Sequence, residues 1–158
     1  MDGGKTWQPT IDINSDVHEV RAHEGNPDIV AAASAIGLCI SHNAGATWTI
    51  ERDVLHASYC SAVAFSGDDI LVSASTDHFA AQGRMYRRPI RPAGALESIE
   101  GGMPEWTIGI IDTGCIATNG SSIAVADKGG NLYRSDNFGR TWSCRDTGLP
   151  NLSGVLIC

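Results

Sequence analysis

The stretch that decides the fold is Ser135-Asp136-Asn137-Phe138-Gly139-Arg140-Thr141-Trp142. The same pattern occurs earlier as Ser41-His42-Asn43-Ala44-Gly45-Ala46-Thr47-Trp48, and a shorter copy opens the chain as Asp2-Gly3-Gly4-Lys5-Thr6-Trp7. We call these segments the second full box (135–142), the first full box (41–48) and the N-terminal box (2–7). Three copies of Asp/Asn-x-Gly-x-Thr-Trp in a chain of 158 residues indicate a repeat protein.

Each box has the chemistry of a tight turn between two strands. A side-chain oxygen can accept hydrogen bonds from nearby backbone N–H groups, and a glycine can adopt positive φ at no steric cost. Thr-Trp then begins a strand, because both residues favour a pleated, half-buried surface. The residues predicted to have these structural roles are Asp2, Gly4, Trp7, Ser41, Asn43, Gly45, Trp48, Ser135, Asn137, Gly139 and Trp142.

These boxes resemble the Asp box, also called the bacterial neuraminidase repeat, of sialidases, xyloglucanases, sortilin-type receptors and a photosystem assembly factor. The family consensus is Ser-x-Asp-x-Gly-x-Thr-Trp, and both full boxes here carry Asn at the Asp position, which keeps the acceptor and loses the charge. The resemblance implies an all-β fold, a β-propeller of four-stranded blades. Boxes of this family are structural, so the resemblance implies no catalytic role for them.

The repeat length supports the same architecture. Leu38, Met85 and Leu132 precede the turns at a spacing of 47 residues (38 to 85 and 85 to 132), which is close to the period of a four-stranded blade. We therefore predict three blades, at about 11–53, 54–102 and 103–150, in one partial propeller. Residues 1–10 and 151–158 would each add one strand beyond these blades, Trp7–Thr10 and Val155–Cys158.

Three blades are too few for a closed ring, because propellers close with about four to eight. Two explanations stay open at this stage. The chain is a fragment of a longer propeller, or it assembles as a homodimer or higher homo-oligomer that completes the ring. Unpaired strand edges would otherwise favour aggregation.

Composition excludes several classes of partner. The formal net charge of −7 and the pI of about 5.0 argue against nucleic acid and anionic membrane. No apolar run is long enough for a transmembrane helix or a signal peptide. Five cysteines without close pairs indicate neither a disulfide framework nor a zinc site, so no metal and no cofactor is predicted. The compartment is left open, with the cytoplasm favoured.

In the propeller that the resemblance implies, the loops between strands D and A and between B and C share one face around the central channel. Loops on a rigid scaffold are common binding positions, and residues 76–83 form the longest of them here. The ligand-binding candidates on this channel face are Asp16, His18, His56, Tyr59, Asp77, His78, Arg84, Asp112 and Asp127, with Lys128 on the same loop as Asp127.

The sequence indicates the function of the chain less directly than it indicates the fold. We predict a non-catalytic binding or scaffold module that takes a carbohydrate or a protein at the channel face. The alternative is a sialidase-like glycoside hydrolase subunit or fragment, although no clear acid/base pair of carboxylates is evident. A third possibility is a truncated chain that has lost an ancestral activity.

Overall fold

The computed structural model describes residues 2–11, 14–150 and 152–158, and all regular structure in them is β-strand. The strands form three antiparallel sheets in chain order, each a meander in which neighbours in sequence are neighbours in space. Short turns at regular intervals produce this topology, because antiparallel strands need only a tight connection. The prediction of three successive four-stranded units is confirmed, with one added strand.

Each sheet contains four strands that are consecutive along its meander. The first sheet contains β1 (Val17–His23), β2 (Asn26–Ser34), β3 (Gly37–Ser41) and β4 (Thr49–Glu51). The second contains β5 (Tyr59–Ser66), β6 (Asp69–Ser75), β7 (Gln82–Pro89) and β8 (Glu97–Ser98). The third contains β10 (Ile116–Asn119), β11 (Ser122–Ala126), β12 (Leu132–Ser135) and β13 (Ser143–Asp146).

A short extra strand, β9 (Thr107–Ile108), was not predicted. It pairs with the beginning of β7 through Gln82↔Ile108 and Gly83↔Thr107, so the second sheet has five strands. The chain thus returns to the second sheet before it begins the third one. A Cβ at Gly83 would lie 3.2 Å from Thr107 Oγ1, which is a tight contact.

The two predicted end strands are absent from the described residues. No strand is present in residues 2–10 or 152–158. Trp7 is 86% exposed, so the half-buried position predicted for the box tryptophans does not apply to it. Trp142, at the same position of the second full box, is buried.

The hydrophobic core lies between the sheets as two layers. One layer joins the first and second sheets through residues such as Ala31, Leu38, Val63 and Val72. The other joins the second and third sheets and includes Met85 and Trp142. The inner strands β1, β5 and β10 contact one another in sequence order, so the sheets form an arc with their first strands on the inside.

The boxes are turns held by side-chain hydrogen bonds, as predicted. In the second full box, Gly139 N donates to Ser135 Oγ at 2.9 Å, Thr141 N donates to Asn137 Oδ1 at 2.9 Å, and Trp142 Nε1 donates to Gly139 O at 3.0 Å. The first full box repeats these bonds. Gly45 and Gly139 have positive φ, and so do Ala44 and Phe138, which the sequence did not predict.

The Asn of the full boxes changes one bond relative to the Asp of the N-terminal box. Thr6 Oγ1 donates to Asp2 Oδ2, whereas Asn137 Nδ2 donates to Thr141 Oγ1. The hydroxyl of the box threonine can act in either direction, since it is both a donor and an acceptor. Asn therefore keeps the side-chain contact with the box threonine while it removes the charge.

Candidate functional site

Tyr59 lies at the centre of the predicted channel face. Its ring is 4.5 Å from the His18 ring, and His18 Nδ1 is 2.7 Å from the Cys60 carbonyl oxygen. The pKa of Tyr59 is raised by partial burial and then by the negative charges of Asp112, Asp16 and Asp77. These carboxylates belong to the loops before β1, after β6 and before β10.

Lys128 supplies the positive charge of this surface. Its Nζ lies 3.3 Å from Asp112 Oδ2 and 3.3 Å from His78 Nε2, so it connects the loop after β11 with the loop after β6. Lys128 and Asp112 are each about one third exposed at the side chain, and the pair remains in contact with solvent. We call His18, Tyr59, Asp77, His78, Asp112 and Lys128 the Tyr59 cluster.

The loop at residues 76–81 projects an aromatic ring from this surface. Asp77 Oδ1 accepts a hydrogen bond from Phe79 N at 2.7 Å, which fixes the turn. The Phe79 side chain is 91% exposed, and its ring meets the His78 ring edge to face at 5.1 Å. A large apolar side chain at the tip of an ordered loop gives a ligand an anchoring point.

His56 and Arg84 belong to a second group on the same face. The Tyr86 hydroxyl accepts from His56 N at 3.0 Å and lies 2.9 Å from His56 Nδ1. The Arg84 guanidinium carbon is 5.4 Å from the Trp106 ring centre and 6.0 Å from that of Tyr86, within the range of a cation–π contact. Tyr86 and Trp106 were not site candidates, because only the fold brings them beside Arg84.

The His56 ring has a lowered pKa, first through partial burial and then through the charge of Arg84. The residue as a whole is exposed, but its ring lies between Tyr86 and Trp106. A folded-state pKa below the unfolded value means that the folded chain binds fewer protons. Its contribution to stability is therefore present above about pH 6.5 and is lost as the pH falls below that value.

We predict that an NMR titration of His56 gives a pKa below the ordinary histidine value of about 6.5. The substitution Arg84→Gln should raise this pKa, because it removes the nearby positive charge. Arg91→Gln, in an exposed turn of the second sheet, is the matched control and should leave the titration unchanged. An identical His56 pKa in the wild type and in Arg84→Gln would contradict the contact.

Asp127 was predicted as a ligand-binding residue of the channel face, but its side chain is buried and has a structural role. The residue is 1% exposed, and its two carboxylate oxygens accept hydrogen bonds from Ile108 N, Asn131 N, Asn131 Nδ2 and the Tyr133 hydroxyl. Buried carboxylates are tolerated where donors surround them in this way. The residue type alone did not separate buried Asp127 from exposed Lys128, its neighbour.

In 2–11, 14–150 and 152–158, no three His, Cys, Asp or Glu side chains come together as metal ligands. The same ranges contain no helix long and apolar enough to cross a bilayer. The five cysteines are free, with Cys39, Cys60 and Cys115 buried in the sheets and the other two exposed.

Comparison with known proteins adds the fold class. No family model and no curated protein matches the chain. Among solved structures, an ancestral GH74 enzyme matches 89% of this chain and 20% of its own length, with 17% identity and a TM-score of 0.68. YCF48 from Cyanidioschyzon merolae matches 89% of this chain and 41% of its own length, with 18% identity and a TM-score of 0.60.

A third match is the GH74 xyloglucanase from Xanthomonas campestris, at 15% identity and a TM-score of 0.56, over 81% of this chain and 21% of that one. The chain thus spans less than half of each of these proteins. At these identities the similarity establishes the fold alone. The protein is an all-β, partial β-propeller, and its three sheets are blades.

Proposed function

We propose that this chain is a binding or scaffold module of the Asp-box class, and that its ligand contacts the Tyr59 cluster. The observation that carries the proposal is a pair of contacts that joins all three blades, that of His18 with Tyr59 and that of His78 with Lys128. His18 comes from the first blade, Asp77 and His78 from the second, and Asp112 and Lys128 from the loops that flank β10 and follow β11. A rigid arc of sheets fixes the positions of these loops.

The Asp-box assignment is supported by the hydrogen bonds of the two full boxes. The serine hydroxyl, the Asn oxygen and the glycine carbonyl all have the partners that a tight strand-connecting turn requires. The positive φ of Gly139 and Gly45 fits the same geometry. These turns are at the blade rim and lie outside the Tyr59 cluster.

The chemistry of the cluster fits a polar ligand with an apolar part. Lys128 and the nearby carboxylates offer charges of both signs, and Phe79 offers an exposed ring. An oligosaccharide can stack on such a ring and hydrogen-bond to the carboxylates, and a peptide can place a side chain there. Two of the similar structures are YCF48 bound to D1 peptide and a xyloglucanase. The fold of this chain therefore resembles both that of a protein bound to a peptide and that of a xyloglucanase.

The test applies the purified chain to a glycan array and to a peptide array. A specific hit on one of them should weaken at least tenfold in the double variant Asp77→Ala, His78→Ala. The matched control Asp28→Ala, His42→Ala removes the same two residue types at exposed positions of the first blade and should bind normally. Equal binding by both double variants would refute the Tyr59 cluster as the site.

A glycoside hydrolase is the second candidate, because the negative charges of Asp112, Asp16 and Asp77 each contribute to the raised pKa of Tyr59. Hydrolysis needs one carboxyl as an acid and another as a base or nucleophile. Here Asp112 pairs with Lys128, and Asp77 holds the turn at Phe79, so both are already engaged. Release of reducing sugar from a β-glucan that stops in Asp112→Asn would favour this candidate over the binding module.

A further inference from the structure

Asn119 is the only asparagine of the sequence that is followed by glycine. It ends β10, and Gly120 and Ser121 form the two-residue turn into β11, with Asn119 paired to Ser122. Gly120 has φ of +57°, which fits a type II′ hairpin with glycine at the first central position. Asn119 and Gly120 are both exposed. The Asn-Gly pair therefore lies at the accessible tip of a hairpin of the third blade.

An asparagine side chain can react with the backbone nitrogen of the next residue. The nitrogen attacks Cγ and forms a five-membered succinimide ring, while the side-chain nitrogen takes the displaced proton and leaves as ammonia. Water then opens the ring. Cleavage of the C–N bond at Cγ gives aspartate, and cleavage at the main-chain carbonyl carbon gives isoaspartate, in which the chain runs through the side chain. A side chain on the attacking residue hinders the first step, and glycine has none.

The structure leaves the backbone nitrogen of Gly120 available for this attack. Within residues 2–11, 14–150 and 152–158, Gly120 N donates to no backbone carbonyl. No atom lies within 4 Å of the position that a Cβ of Gly120 would occupy, so the approach to the nitrogen is not crowded. Exposed loop tips of this kind are also where chemical change is best tolerated.

The asparagines of the two full boxes lack this freedom. In the second full box, Phe138 N donates to Ser121 O at 2.9 Å. Asn137 accepts from Thr141 N and donates to Thr141 Oγ1, so its side chain is bound through both the oxygen and the nitrogen. The first full box repeats the arrangement, with Ala44 N bonded to a carbonyl oxygen at 2.8 Å. In both boxes the attacking nitrogen and the amide that it would attack are engaged.

We propose that Asn119 is a site of spontaneous deamidation, where the folded protein is converted through a succinimide to aspartate and isoaspartate. The reaction needs only water besides the chain itself. Asn119 ends β10, whereas Asp112 of the Tyr59 cluster precedes that strand. The modification site is therefore separate from the proposed ligand site, and neither proposal depends on the other.

The products change a hairpin that is bonded to the second full box. Ser121 O is the acceptor for Phe138 N, and the Ser122 hydroxyl donates to Asp136 Oδ1 at 3.0 Å. Isoaspartate adds a methylene to the main chain just before Gly120, which displaces the Ser121 carbonyl from Phe138. Aspartate adds the same negative charge but keeps the length of the main chain. Isoaspartate should therefore loosen the box, and aspartate should not.

The first experiment incubates the folded chain in mildly alkaline buffer and follows each asparagine by mass spectrometry of its peptides. The peptide with Asn119 should be modified at least tenfold faster than the peptides with Asn43 and Asn137. Gly120→Ala should slow the reaction at Asn119 at least tenfold, because the added methyl hinders the attack. If Asn119 keeps its amide in the folded chain while an unstructured peptide of residues 114–125 loses it, the proposal is overturned.

Ala44→Gly separates the effect of structure from that of sequence. It creates a second Asn-Gly pair in the first full box, where the φ of 54° suits glycine. In the folded variant, Asn43 should react at least tenfold more slowly than Asn119, because its amide and the following N–H are hydrogen-bonded. In urea the two asparagines should react at similar rates. Equal rates in the folded variant would overturn the structural basis of the proposal.

Hydrogen exchange measures the consequence for the second full box. The isoaspartate form, separated by ion exchange, should exchange the Phe138 amide proton at least tenfold faster than the unmodified chain. Asn119→Asp is the matched control, since it carries the added charge on a main chain of normal length and should exchange as the wild type does. Identical exchange by the isoaspartate form and the control would overturn the coupling between the hairpin and the box.

Discussion

Gly101→Ala should reduce the free energy of unfolding by about 3 kcal/mol or more, from the combined costs of a left-handed alanine and an overpacked contact. Gly101 has φ of +75°, and a Cβ at this position would lie 2.2 Å from the Arg140 carbonyl oxygen. The Gly101 carbonyl oxygen also accepts from Trp142 N at 2.7 Å, so the backbone cannot move away without loss of that bond. Urea unfolding followed by tryptophan fluorescence measures the change.

Gly120→Ala is the matched control for the contact between a Cβ at position 101 and the Arg140 carbonyl oxygen. Gly120 also has positive φ, at +57°, but no atom lies within 4 Å of the position of its Cβ. Only the left-handed conformation is then penalised, at a cost of about 1–2 kcal/mol. Equal destabilisation by the two substitutions would show that the connector at Gly101 does not press against the second full box.

The boxes made the fold predictable because the hydrogen bonds that stabilise each turn form between residues of the same turn. Ser135, Asn137 and Gly139 make their hydrogen bonds within one turn, and residue types alone were enough to assign donor, acceptor and positive φ. The 47-residue spacing then fixed the number of sheets. Strand β9 escaped prediction because it is two residues long and pairs with β7, some 25 residues earlier in the chain, through a contact that no pattern of alternation signals.

The candidate site was predictable only as a set of loops. Chain order placed Tyr59, His78 and Asp112 on one face, and in the structure His78 and Asp112 both contact Lys128. Chain order did not reveal which polar side chains are buried. Asp127 and Lys128 are adjacent in sequence, yet Asp127 is buried and Lys128 is exposed. Contacts between blades, such as that of Arg87 with the Phe138 carbonyl, depend on packing across the core and leave no local signal.

Asp127→Ala should lower the free energy of unfolding by about 3 kcal/mol or more, because it removes the shared acceptor of several buried hydrogen-bond donors. The carboxylate is the common acceptor for Ile108 N, Asn131 and the Tyr133 hydroxyl, and each buried donor left without a partner costs about 1–3 kcal/mol. It also connects the β9 segment to the third blade, so β9 should separate from β7 first. Hydrogen exchange at Ile108 and urea unfolding measure the two effects.

Asp112→Ala is the matched control, because Asp112 is partly exposed and its partner Lys128 can remain hydrated after the change. Its effect on stability should be at most about 1 kcal/mol, as for other exposed ion pairs. The pair of variants thus separates the two roles that the sequence could not distinguish. Asp127→Ala should destabilise the fold, and Asp112→Ala should affect ligand binding at the Tyr59 cluster while the protein stays folded. Similar losses of stability in the two variants would contradict the assignment of Asp127 as the buried hydrogen-bond acceptor between β9 and the third blade.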